Sequence, residues 1–112
     1  MTVYHPDEGN AFANVGWPGS IGSLTGMNDK QMSINEIGVS YPDDSFGQGT
    51  PGTPPEKLEG KPWMLVVRNI LQGTSNIDDA LQSVQEANRT CNLILGVGDG
   101  KAGRVSGIEV CI

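Results

Sequence analysis

Between residues 62 and 87 the sequence carries two apolar stripes at helical spacing, and the rest of the chain must be built around them. Trp63, Val66, Val67, Ile70 and Leu71 recur at i, i+3, i+4, i+7 and i+8, which places their side chains on one helix face. Pro62 suits the first turn, where its missing N–H costs nothing, and Gly73 marks the end. Ser75 or Asn76 then caps a second helix, with Asp78 and Asp79 in its first turn, at the positive end of the dipole. Ile77, Ala80, Leu81, Val84 and Ala87 form its stripe. Two helices joined this closely are expected to pack as a helical hairpin.

The flanks follow strand periodicity. Leu24 and Met27 precede the turn residues Asn28-Asp29-Lys30, and Met32, Ile34 and Ile37 follow it, so a short antiparallel hairpin is expected here. After the helices, the run 92–97 is mostly apolar, 98–103 is a turn, and 105–112 alternates as a return strand. Residues 1–22 are rich in Gly, Pro and Asn and read as loop with at most one short strand around Phe12, Val15 and Trp17. Residues 42–62 are dense in Pro and Gly; a loop of about 20 residues inside a domain is uncommon unless it is a lid, a binding loop or a linker. The segments on either side are each too small to fold alone, so it reads as a loop within one partial domain, 1–112. The order ββ, αα, ββ is α+β, with helices layered on a mainly antiparallel sheet.

A chain of 112 residues with 37% apolar and 5% aromatic residues and 16 glycines has little with which to fill a core. It is expected to be either a small marginal domain or a segment that shares a core with further polypeptide. The net charge of −6 repels phosphate backbones, which argues against nucleic acid as a partner. No Lys/Arg cluster favours an anionic membrane surface, and no run of about 18 apolar residues is present to span a bilayer. The first residues lack the basic and apolar regions of a signal peptide.

Several motifs invite chemistry. Gly98-x-Gly100-x-x-Gly103 matches a dinucleotide fingerprint, but that site needs a helix opening at the last glycine, and residues 104–110 read as strand; the hairpin-turn reading is preferred and no cofactor is expected. Cys91 and Cys111 flank the same hairpin and lie almost opposite if its turn centres near Lys101. They are either a disulfide, closing a loop of about 20 residues for roughly 3 kcal/mol, or two half-buried thiols. His5, the only histidine, stands beside Pro6 near the chain start and reads as a surface residue; no metal site is expected. The adjacent pairs Asp43-Asp44 and Asp78-Asp79 read as solvated loop and helix start. Asn88-Arg89-Thr90 is a glycosylation sequon of low specificity.

The run Gly19-Ser20-Ile21-Gly22-Ser23-Leu24-Thr25-Gly26-Met27-Asn28, followed by Ile34-Asn35-Glu36-Ile37-Gly38-Val39-Ser40-Tyr41-Pro42, resembles a block of the cysteine N-terminal-nucleophile (Ntn) hydrolases of the acid ceramidase-like and penicillin acyltransferase type. Trp63 to Gly73, with Arg68, resembles their "LLRxxL" helix, and Asp78 to Ala87 a second helix. Thr90 to Gly100 through Ile108-Glu109 resembles the strand pair ending in "VIE" or "GLE". The resemblance covers about residues 10–112. It implies an αββα sandwich in which an N-terminal Cys attacks an amide carbonyl, with its own α-amine as general base and backbone or Asn donors holding the oxyanion.

The family's nucleophile lies upstream of the Gly-Met-Asn turn, where this chain has no Cys, and Cys91 matches no nucleophile position. The resemblance therefore implies an interior portion of an amide hydrolase or acyltransferase acting on N-acyl amides, either ceramide-like lipids or small acyl amides, with its catalytic thiol outside the chain. It further implies substrate contacts among Asn35, Glu36, Ser40 and Tyr41, a lid or a simple insertion at 42–62, and a lysosomal or secreted parent. Its partner is the remainder of the same domain or another chain completing the sandwich. The alternative is a non-catalytic structural or assembly component that keeps the scaffold.

Overall fold

The structure, a computed structural model, describes residues 1–38, 59–88 and 90–110. Six strands and two helices follow in the order β1 (Thr2–Tyr4), β2 (Phe12–Val15), β3 (Thr25–Asn28), β4 (Met32–Gly38), α1 (Trp63–Gly73), α2 (Ile77–Glu86), β5 (Leu93–Asp99) and β6 (Arg104–Val110). The strands form one antiparallel sheet in which each lies beside its predecessor in sequence. Ile34 sits at its centre, opposite Gly26 on β3 and Val97 on β5.

The α1 stripe is buried where the spacing placed it, and of the α2 stripe Ile77, Ala80 and Val84 are buried while Leu81 and Ala87 are half-buried against the core. Val66, Val67, Ile70 and Leu71 of α1 and Ile77, Ala80 and Val84 of α2 join Phe12, Met32, Ile34, Leu93, Leu95 and Val97 of the sheet in one core. Fully burying a side chain of this size is worth about 1.5–3 kcal/mol, so this single layer supplies most of the drive to fold. The Asn76 side chain accepts from the Asp79 N–H at 2.9 Å and caps α2. Pro62 occupies the cap position of α1 and leaves its side-chain cap unfilled. The helices dock chiefly on the sheet, α1 on β3 and β4 and α2 on β5, so the expected helical hairpin is a pair laid side by side on strands.

The expected αββα sandwich is not what forms. All six strands of the described residues enter one sheet, leaving none for a second, and both helices share one face of it; the fold is predominantly β. The N-terminal segment supplies the difference: β1 and β2 pair from Thr2↔Asn14 to Tyr4↔Phe12, and β2 continues onto β3 through Phe12↔Asn28. These strands are three and four residues long, too short for period-2 alternation to emerge from a Gly- and Asn-rich background.

Both hairpins turn within the expected segments, and the first differs in which residue takes the left-handed conformation. At the β3–β4 turn the left-handed position is Gln31 (φ 61°). Asn28 acts through its side chain, with Oδ1 accepting from the Lys30 and Met32 N–H groups at 3.0 Å each. The Gly98-x-Gly100-x-x-Gly103 segment is the β5–β6 hairpin, with Gly103 at φ 62° and a strand, rather than a helix, following it. Of the 42–62 loop, residues 42–58 lie outside the described residues.

A candidate site on the bare face of the sheet

Side chains alternate across a strand, so each core residue of the sheet has neighbours pointing the other way. Following the register, one such row runs Val3–Ala13–Met27–Ser33–Gly98–Val105 from edge to edge. A second runs Val15–Thr25–Asn35–Gly96–Gly107, and a third Ile37–Ile94–Glu109. No element among the described residues covers these rows. Val3, Val15, Met27, Ile37, Ile94 and Val105 are 41–85% exposed.

Within this face lies an open concavity of about 410 Å³ lined by Met1, Val15, Thr25, Met27, Ser33 and Asn35. A second, of about 570 Å³, shares Met27 and Ser33 and extends over Gly98 to Arg104 and Val105. Glycine keeps the floor low where the polar side chains lie. A Cβ on Gly96 would sit 2.4 Å from Asn35 Oδ1, and one on Gly98 2.7 Å from Ser33 Oγ. Asn35, Ser33 and Thr25 thus place hydrogen-bonding groups among methionine and valine side chains. Such an arrangement holds an apolar chain while orienting one polar group.

Of the residues singled out from the sequence, Asn35 and Glu36 lie within β4 rather than after it, and as neighbours on a strand they face opposite ways. Asn35 is on the bare face. Glu36 is half-buried on the helix-covered side, where burial pushes its carboxyl above the usual range. It belongs to a different corner, with Cys91. Burial raises the Cys91 thiol above its ordinary value; a hydrogen bond with Thr90 opposes this and the Glu36 charge adds to it. The thiolate is the nucleophilic form, so this environment works against Cys91 as a nucleophile. The Cys91 carbonyl accepts from the Trp63 indole N–H at 2.9 Å. Ser40 and Tyr41 lie outside the described residues, as does Cys111 and with it the disulfide expectation.

Several other polar groups near the helices have structural partners, whereas the buried Ser23 Oγ has none among the described residues. Asn10 and Asn28 converge on the C-terminus of α1. Asn28 Nδ2 donates to the Leu71 and Thr74 carbonyls at 2.8 and 2.9 Å, and Asn10 Nδ2 donates to Thr74 at 2.7 Å. Arg68 stacks its guanidinium 4.8 Å from the Tyr4 ring centroid and donates to the Ile21 carbonyl. Asp78 pairs with Arg104 at 3.0 Å. His5 is exposed beyond β1. Among the described residues no three His, Cys, Asp or Glu side chains group as metal ligands, and no helix is long and apolar enough to cross a membrane. Sequence reasoning missed Thr25 and Ser33, although the period-2 alternation around Met27 and Asn35 places them on one face.

No family model matches the sequence, and no solved structure matches it. Two curated proteins of Dictyostelium discoideum do. Protein dcd1A is 30% identical over 116 residues, covering 97% of this chain and 24% of that protein. Protein dcd1B is 32% identical over 112 residues, covering 98% of this chain and 20% of that protein. The chain therefore spans a quarter or less of the length of the curated relatives it matches.

Proposed function

We propose that this chain is an interior portion of a cysteine Ntn-type amide hydrolase or acyltransferase, acting on N-acyl amides, with its nucleophilic thiol in polypeptide outside residues 1–112. The observation that supports this reading best is the Asn35 concavity: an apolar trough for an acyl chain with a side-chain amide on its wall. The Asn35 side chain is exposed on this face and lies over Gly96 of the adjacent strand β5. Its N–H groups suit a carbonyl oxygen that gains charge during acyl transfer. The sequence blocks around Gly26-Met27-Asn28 and Trp63–Gly73 point to the same chemistry by resemblance. The partner in this reading is the remainder of the same hydrolase domain, and a lysosomal or secreted location goes with it.

Fluorogenic N-acyl amides of long and short chain length test this. The complete gene product should turn them over, and the 112-residue chain alone should not. Turnover by the chain alone that survived Cys91→Ala would overturn the placement of the thiol. The bare apolar face also favours a second reading, a non-catalytic assembly component, because such a face needs cover whatever the chemistry. A complete gene product that folds, buries this face and hydrolyses no acyl amide would decide for it.

A further inference from the structure

We infer that the bare sheet face is an interface, and that its occupant is an uncharged, apolar layer supplied by polypeptide flanking residues 1–112 in the same gene product. This rests on the reading above that the chain is part of a longer protein. Scattered apolar side chains on a surface are ordinary, whereas a contiguous apolar patch marks an interaction surface. Here the first row spans β1 to β6, the second β2 to β6 and the third β4 to β6, and six of their side chains are the exposed Val3, Val15, Met27, Ile37, Ile94 and Val105, set around the polar Thr25, Ser33 and Asn35.

Charge is distributed accordingly. The molecule carries −6 overall, yet the only ionisable side chain that the register places among these rows is Glu109, next to Ile94 on the edge strand. An acidic partner, a nucleic acid or an anionic membrane would find no cation among these rows. The relief is also specific. Nothing stands within 4 Å of where a Gly107 side chain would begin on β6, whereas the Asn35 and Ser33 side chains already lie over Gly96 and Gly98. A gap of this kind takes one protruding side chain, because interiors close to crystal-like density.

Flanking polypeptide and a second copy each suit a face with so few charges. The relatives favour the first. They match almost all of this chain but extend over four or more times its length, so most of each protein lies outside the matched region and is at hand to cover it. Cover would also convert the open Asn35 concavity into an enclosed one, where an amide donor acts in a lower dielectric and counts for more.

Cysteine accessibility tests this. Met27→Cys and Val105→Cys report on the face, and Ala102→Cys in the exposed β5–β6 turn is the control, each in a Cys91→Ser, Cys111→Ser background, each checked for a cooperative melt, and labelling at each position read by peptide mass. In the complete gene product, maleimide should label positions 27 and 105 at least tenfold more slowly than position 102; in the dilute 112-residue chain all three should label at similar rates. Equal rates at all three positions in the complete product would overturn the inference. So would protection in the short chain accompanied by a doubled mass, which assigns the face to a second copy, or a gene encoding these 112 residues alone. Protection without amidase turnover would keep the interface and remove the proposed activity, and turnover with an unprotected face would do the reverse.

Discussion

Asn28 ties the β3–β4 hairpin to the end of α1, and its replacement by alanine should be among the most costly single changes outside the apolar core. Its Nδ2 donates to the Leu71 and Thr74 carbonyls at 2.8 and 2.9 Å, and its Oδ1 accepts from the Lys30 and Met32 N–H groups at 3.0 Å. Each such bond contributes about 0.5–1.5 kcal/mol net, and a buried group left without a partner costs about 1–3 kcal/mol. Thr74 O keeps Asn10 as a donor at 2.7 Å, while Leu71 O keeps only the longer contact with Asn10 at 3.5 Å. The sum for Asn28→Ala is about 3 kcal/mol, a fall in Tm of roughly 10–20 °C for a domain of this size. Asn10→Ala removes fewer bonds and leaves both carbonyls with Asn28, so it should cost only about 1 kcal/mol. Because the two amides share their acceptors, the double variant should lose about 1 kcal/mol more than the sum of the singles. Urea titration of the four proteins measures this. Asn28→Ala no more costly than Asn10→Ala, or strict additivity, would refute the shared-cap reading.

Other substitutions probe the remaining contacts. Gly26→Ala would bring a Cβ to 2.5 Å from the Ala13 carbonyl and 2.6 Å from Leu71 Cδ1 and should destabilise by about 1–3 kcal/mol in the same titration. Gly73→Ala adds a methyl to open space in the last turn of α1 and should stabilise by about 0.4–1 kcal/mol. Asp99 accepts from the Ala102, Lys101 and Ile77 N–H groups. The Ala102 bond foremost, together with those from Ile77 and Lys101 and the Lys101 charge, outweighs burial and holds its carboxyl below the usual range. Its contribution is therefore present above the unfolded carboxylate pKa near 3.9 and lost as pH falls through the lower folded value. The stability gap between the native protein and Asp99→Asn should narrow below about pH 4, and a gap independent of pH from 2 to 7 would contradict it. In the complete gene product Asn35→Ala should reduce kcat on N-acyl amides by about 10²-fold, the scale of one lost oxyanion donor, with a melt close to that of the native protein.

What the sequence disclosed was local, and what it concealed was tertiary. The helices were legible because five apolar residues from Trp63 to Leu71 repeat with the period of a helix, and both hairpins because turn residues separate alternating runs. β1 and β2 were hidden because three or four residues among glycines and asparagines become strands only once β3 offers an edge and the α1 stripe covers Phe12 and stacks Arg68 on Tyr4. The single-sheet architecture depends on those two strands, so it was hidden with them. Asn35 was visible as a candidate, but its separation from Glu36 follows from the strand continuing through both residues. The capping roles of Asn10 and Asn28 come from contacts 43 to 64 residues apart in the chain, which no local pattern encodes.

Mapping the site of covalent labelling tests the whole account most directly. The complete gene product would be treated with a thiol-reactive acyl probe under turnover conditions, digested, and the modified peptide identified by mass spectrometry. The account predicts that the acylated cysteine lies outside residues 1–112 and that Cys91 carries no label. Activity-linked modification of Cys91, eliminated together with turnover by Cys91→Ser, would contradict it.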